Sequence, residues 1–152
     1  MIKYFFLIAI TCLLSCKAQK EGHSPVGEKI ENMVLVDHDS FSNIETYETR
    51  VIKDEKSLRK FYSEINKTRK PGRPVPKVDF SKEMVLLVCL GEQNGRQNAV
   101  LSKVKETDSE ISIAVEMIKE QGEITVQPVY FPFYLYKMPL VDKTITFQKI
   151  DN

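Results

Sequence analysis

Hydrophobic and polar positions along this chain change period several times, and each change predicts an element. Met84 to Leu90 is an uncharged apolar run that stops at Gly91. It is too short to nucleate a helix alone, and Val85, Val88 and the glycine stop predict a central strand buried on both faces. Glu110 to Met117 alternates instead, with Ile111, Ile113, Val115 and Met117 inward and Ser112, Ala114 and Glu116 toward water or a smaller layer. Only one stretch has helical period. Leu58, Phe61, Tyr62 and Ile65 fall on one stripe behind Asp54, an N-cap residue, and predict a helix that covers a sheet.

The remaining strands are predicted over Ile30 to Val36, Thr46 to Ile52, Ala99 to Lys105, Ile124 to Val129, Tyr130 to Met138 and Thr144 to Ile150. Asp37, His38, Asp39 and Ser40 read as a turn closing the first. Asn94 followed by Gly95 is the strongest local turn signal, predicting that the central strand and Ala99 to Lys105 form a hairpin with a projecting tip. Pro128 demotes its strand to an edge or a bulge. In Tyr130 to Met138, Phe133 and Leu135 face one way and Tyr134 and Tyr136 the other. Lys67 to Lys77, rich in proline and basic residues, predicts an extended, exposed connection, either simply solvated or an electrostatic patch for anionic lipid or an acidic partner. The sum is a mainly β (α+β) fold, an antiparallel β-sandwich-like domain with one covering amphipathic helix.

The first residues change the picture from fold to address. Lys3 and the apolar Phe5 to Leu14 are far short of the roughly 20 residues that span a bilayer, and predict a signal peptide over 1–15. Leu13, Leu14, Ser15 and Cys16 match the bacterial lipobox, so Cys16 is the expected lipidation site, bearing palmitate-type acyl chains that make membrane attachment effectively permanent. Lys17, where inner-membrane lipoproteins often carry aspartate, favours the outer membrane of the cell envelope. Residues 16–27 read as a flexible tether and 28–152 as a single domain.

Charge and composition narrow the chemistry. With 22 basic and 21 acidic residues the net charge is +1, which argues against nucleic acid as a partner. Cys12 leaves with the signal peptide and Cys16 carries lipid, so Cys89 is the domain's single thiol and reads as an inert core residue. His23 and His38 lack ligand-spaced companions, so no metal site is expected. With one of the two histidines in the tether and the domain's lone cysteine in the core, the usual nucleophilic arrangements lack their parts, so the chain reads as a non-enzyme without a cofactor.

From Asp79 and Phe80 into the central strand, through Gly91, a glycine-bearing loop and an alternating strand to Pro132, Phe133, Tyr134, Leu135, Tyr136, Lys137, Met138 and Pro139, the chain resembles the PrcB C-terminal domain family. The resemblance covers about 79–150. It implies a secreted or lipid-anchored accessory protein without known catalytic activity, and a protein partner of which a cell-envelope protease is the type. Gln93, Asn94, Gly95, Arg96 and Gln97 occupy the loop where family members commonly carry Pro-Thr-Gly-Gly-Tyr, and this chain has one glycine and no tyrosine there. They are the expected partner-binding residues, as adaptable polar contacts on a rigid scaffold. Two alternatives stay open: a chagasin-like protease inhibitor, and a small-ligand lipoprotein using Tyr134 and Tyr136.

Overall fold

The computed structural model describes residues 25–119 and 128–151. The expected signal peptide, Cys16, His23, most of the tether and most of the strand over Ile124 to Val129 lie outside the described residues. In chain order the elements are β1 (Val34–Asp39), β2 (Glu48–Ile52), α1 (Glu55–Ile65), β3 (Glu83–Cys89), β4 (Gln93–Asn94), β5 (Gln97–Glu106), β6 (Glu110–Lys119), β7 (Val129–Tyr130), β8 (Phe133–Pro139) and β9 (Thr144–Asp151).

The fold is mostly β with a single helix among the described residues, as the strand pattern predicts. A four-stranded sheet in the order β1-β8-β3-β2 packs over a three-stranded sheet in the order β5-β6-β9, and β4 and β7 form a two-stranded ribbon. The larger sheet is antiparallel throughout. In the smaller one β5 and β6 are antiparallel, but β6 and β9 run parallel, which no local pattern announces.

β3 is interior, flanked by β2 and β8, and every residue from Met84 to Leu90 is buried. Its two faces supply two cores, as the uninterrupted apolar run requires. Val85, Leu87 and Cys89 meet Phe133 and Leu135 of β8 and the helical stripe Leu58, Phe61, Tyr62 and Ile65. Met84, Leu86 and Val88 meet Tyr134, Tyr136 and the inward residues of β5 and β6 between the sheets. Asp54 caps the helix as expected, its Oδ1 accepting the Ser57 N–H at 2.8 Å.

Two expectations need correction. The residues read as a turn, Asp37, His38 and Asp39, are the last half of β1, paired with Leu135, Tyr134 and Phe133. β3 and β5 do not form a hairpin, because they belong to different sheets and the segment between them crosses from one to the other. Of the two settings expected for the face of Ser112, Ala114 and Glu116, water or a smaller layer, the structure has the second, and all three are buried. Their described cover includes the chain entering the domain: the Val26 N–H donates to Glu116 Oε1 at 2.7 Å and the Gly27 N–H to Ser102 Oγ at 3.1 Å. Glu28 then exchanges backbone hydrogen bonds with Lys103 at 2.9 and 2.7 Å, so docking begins ahead of residue 28.

Gly91 sits at φ 71°, and a Cβ there would lie 2.7 Å from the Tyr47 nitrogen and 2.8 Å from the Thr46 carbonyl carbon. Only glycine fits both the left-handed backbone and the close approach.

Candidate surface cleft beside the 93–97 loop

The basic loop over residues 67–77 backs β1, whose His38 and Asp39 line the candidate site, and it is not simply solvated. Arg73 lies against β1, its guanidinium donating to both oxygens of Asp37 and, at 2.6 Å, to Asp39 Oδ2. Arg69 donates to Asp39 at 2.7 and 3.1 Å and to the Phe41 carbonyl. Asn66 holds this loop in place through the Arg73 backbone, donating to its carbonyl at 2.9 Å and accepting its N–H at 2.8 Å.

The Tyr62 hydroxyl completes the clamp from the helix, donating to Asp37 Oδ2 at 2.5 Å. Burial and the Asp37 carboxylate together push the Tyr62 phenol far above its ordinary pKa, so it is a permanent donor. Burial would raise the Asp39 carboxyl, but hydrogen bonds from Arg69 and the Phe41 N–H, with the charges of Arg69 and Arg73, bring it below its ordinary value. Two of the five basic residues in the loop are therefore spent internally, and Lys67, Lys70 and Lys77 remain exposed. That leaves a weaker electrostatic patch than the sequence suggests.

Of the expected partner-binding residues, Arg96 and Gln97 line the opposite wall, while Gln93, Asn94 and Gly95 lie beside it in the β4–β7 ribbon and its turn. Gln93 pairs with Tyr130 and Asn94 with Val129 in the β4–β7 ribbon, and the Gly95 N–H donates to the Pro128 carbonyl at 3.3 Å. Gly95, at φ 88°, supplies the tight turn that Asn94-Gly95 signals. Gln93 also turns inward, its Nε2 donating to the Leu90 carbonyl at 2.7 Å. Of the five, Asn94 and Arg96 are exposed, while Gln93, Gly95 and Gln97 are half-buried. The loop is thus a fixed rim and not a projecting tip.

Between the walls lies a cleft of about 270 Å³, lined among others by His38, Ser40, Arg96, Asn98, Tyr130 and Tyr134. Its floor is rigid. The Tyr134 hydroxyl donates to the Gln97 carbonyl at 2.7 Å and lies 3.1 Å from Asn98 Oδ1, and the His38 imidazole stacks on the Tyr134 ring at 6.0 Å. At the outer rim the half-exposed Phe41 ring meets Tyr130 at 5.7 Å.

Sequence reasoning places Arg96 and Gln97 at this cleft but misses His38, Phe41 and Tyr130. The aromatic content of Tyr130 to Met138 signals Tyr130, whereas His38 and Phe41 become visible only once β1 is known to pair with β8. Cys89 is fully buried on the helix side of β3, and burial pushes its thiol up to about 12, far from a reactive thiolate. Among the described residues no group of three histidine, cysteine, aspartate or glutamate side chains is placed to hold a metal ion. No described helix is long and apolar enough to cross a membrane.

Compared with protein-family models, with curated proteins and with solved structures, the chain matches none.

Proposed function

We propose that this chain is a lipid-anchored cell-envelope protein that works by binding: a non-catalytic accessory module, tethered through Cys16, that offers the cleft beside the 93–97 loop to a protein partner. The observation that carries this reading is the joining of that loop to β7. It fixes the end of the loop, Arg96 and Gln97, beside an aromatic floor of His38, Tyr130 and Tyr134. Tyrosine and arginine on a pre-organised surface are the usual anchors of protein interfaces. The resemblance of Pro132 to Pro139 and its surroundings to the PrcB C-terminal domain family supports a cell-envelope protease as the class of partner.

Two observations order the alternatives. A chagasin-like inhibitor needs a loop that reaches into an active-site cleft, and a rim paired to its neighbour reaches less well than a free tip. Small-ligand carriage through Tyr134 and Tyr136 would draw on their hydroxyls, and both donate to β5 carbonyls, at 2.7 and 2.8 Å.

The test is affinity capture of the full-length lipidated protein from its native envelope, run beside an Arg96→Glu, Tyr130→Ala variant. A protein recovered with the natural chain and lost with the variant is the expected result. Equal recovery by both, with the variant folded by circular dichroism, would move the site elsewhere.

A further inference from the structure

We propose that the outward face of α1, continued by Lys70 and Lys77 of the 67–77 loop, is a docking surface for an acidic protein, presented on the side of the domain away from its anchor. It is separate from the cleft and does not depend on it.

Charge is unevenly spread along the chain. Residues 53–82 carry ten basic and four acidic side chains, a net +6, whereas the whole chain is +1, so everything outside that stretch sums to −5. The fold gathers the excess on one face. Leu58, Phe61, Tyr62 and Ile65 turn α1 onto the sheet, and Lys56, Lys60, Ser63 and Lys67 recur at i, i+4, i+7 and i+11 on the opposite side, all exposed. Lys67 keeps that spacing past Ile65, its N–H donating to the Glu64 carbonyl at 3.3 Å. The segment from Val75 to Val78 lines a groove with Leu58 and Arg59, which brings the exposed Lys77 into the same layer.

The carboxylates that reach this layer are already engaged. Arg59 holds Glu55 at 2.6 Å, and Arg50 reaches Glu64 at 3.7 Å. Arg69 and Arg73 hold Asp39 and Asp37, Asp54 caps the helix, and Asp79 accepts from Ser81. The arginines are spent in those pairs. Among the described residues, Lys56, Lys60, Lys67, Lys70 and Lys77 have neither an ion pair nor a side-chain hydrogen bond.

What is left over defines the occupant. Ammonium groups are compact point charges that suit carboxylates scattered over a surface, whereas bidentate recognition of phosphate favours arginine. Position separates the face from the anchoring membrane. Val26 and Gly27 bond to Glu116 and Ser102 on the outer face of the β5-β6-β9 sheet, so both sheets lie between the chain's entry and α1. With Cys16 as the anchor, residues 17–25 reach at most about 30 Å. A helix and two sheets stacked at about 10 Å per layer take up most of that reach. The lysine face is therefore turned toward the compartment, where complementary charge speeds and orients encounter with a protein.

The test uses the full-length lipidated chain in phosphatidylcholine nanodiscs, with fluorescent poly-L-glutamate as the acidic polypeptide and anisotropy as the readout. Binding is expected at about 10 mM salt and should weaken at least about tenfold by about 150 mM, as the screening length falls from roughly 30 to roughly 8 Å. Lys56→Glu with Lys60→Glu should weaken it at least about tenfold. Lys105→Glu with Lys119→Glu makes the same change in net charge at exposed positions of β5 and β6. It should weaken binding less than about twofold. Circular dichroism confirms that each chain folds. Absence of binding at low salt would overturn the proposal, as would equal loss in the two double variants, which would reduce the effect to net charge. Vesicles of phosphatidylcholine and phosphatidylglycerol in equal parts, bound in preference to poly-L-glutamate, would give the face to lipid and refute an acidic protein. Loss of poly-L-glutamate in an Arg96→Glu, Tyr130→Ala chain would place acid binding in the cleft and equally refute it.

Discussion

Arg73→Met isolates the clamp between the basic loop and β1. The substitution keeps an unbranched apolar stem near Phe133, over whose ring the guanidinium lies at 5.9 Å, and removes the charge. What it leaves behind sets the magnitude. Asp37 keeps the Tyr62 hydroxyl at 2.5 Å and the His38 N–H at 2.9 Å, while Asp39 keeps Arg69 at 2.7 Å and the Phe41 N–H at 2.9 Å. Neither carboxylate is stripped, so the loss should fall below the roughly 3–5 kcal/mol seen when a buried ion loses its only partner. It should still exceed the roughly 0–1 kcal/mol of an exposed pair, because the side chains of Arg73, Asp37 and Asp39 are only 29%, 14% and 19% exposed.

We expect a loss of about 2 kcal/mol, and a midpoint lower by about 6–10 °C for a domain of this size. Far-UV circular dichroism and tyrosine fluorescence in urea measure it, since the chain has no tryptophan. The sign of the pH dependence is fixed by Asp39, whose folded pKa is depressed. Its contribution is complete above the unfolded value of about 4 and is lost as pH falls through the folded value. The gap between natural and variant chains should therefore narrow from pH 6 toward pH 2. A gap below about 0.5 kcal/mol at pH 7 would place the clamp among ordinary surface pairs. A gap that persists at low pH would show that packing and not charge is what Arg73 supplies.

Other consequences can be checked independently. Gly91→Ala should cost about 2–3 kcal/mol in urea denaturation, since the added Cβ meets backbone atoms of Thr46 and Tyr47 that cannot move aside; an unchanged midpoint would contradict the close approach. Glu106, held near 2 by Lys103 and Lys143, contributes stability above its ordinary value that should fade as pH falls from about 4.5 toward 2, while Lys143→Ala should move its titration, followed by NMR, upward. At the alkaline end the raised pKa values of Tyr62, Tyr136 and Cys89 act in the opposite sense, so stability present below their unfolded values should be lost as pH rises through 9 toward 12. In a Cys12→Ser, Cys16→Ser chain, Cys89 should react with a thiol reagent only at the rate of opening, and fast labelling of the native fold would refute its burial. Metabolic labelling with a palmitate analogue should mark the natural chain and miss Cys16→Ser.

Elements whose determinants lie within a few residues are legible in the sequence. The helix is one, because its stripe and its Asp54 cap are local. β3 is another, and the two faces of β8 separate as alternation predicts, Phe133 and Leu135 to the helix side and Tyr134 and Tyr136 between the sheets. What stays hidden depends on partners far along the chain. Asp37-His38-Asp39 looks like a turn because nothing nearby explains two carboxylates in a strand, and the explanation is Arg69 and Arg73, with Tyr62 at Asp37. Asn94-Gly95 correctly signals a reversal, yet cannot say that the returning chain enters the other sheet and that Asn94 pairs with Val129. The candidate cleft inherits this split, with Arg96 and Gln97 readable in advance and His38 and Asp39 dependent on β1.

The entry of the chain onto β5 also decides how the molecule answers to mechanical load. A pull on the N-terminal side reaches the folded domain first at Val26, Gly27 and Glu28, and passes to β5 through the paired Glu28 and Lys103. β5 does not bear that tension alone. The hydroxyls of Tyr134 and Tyr136 fasten it to β8, so force applied at one sheet is shared with the other across the core. Drag on anything held at the cleft enters through Tyr134, on the same line. The pull of an anchor and the pull of a cargo would thus meet in β5 and β8.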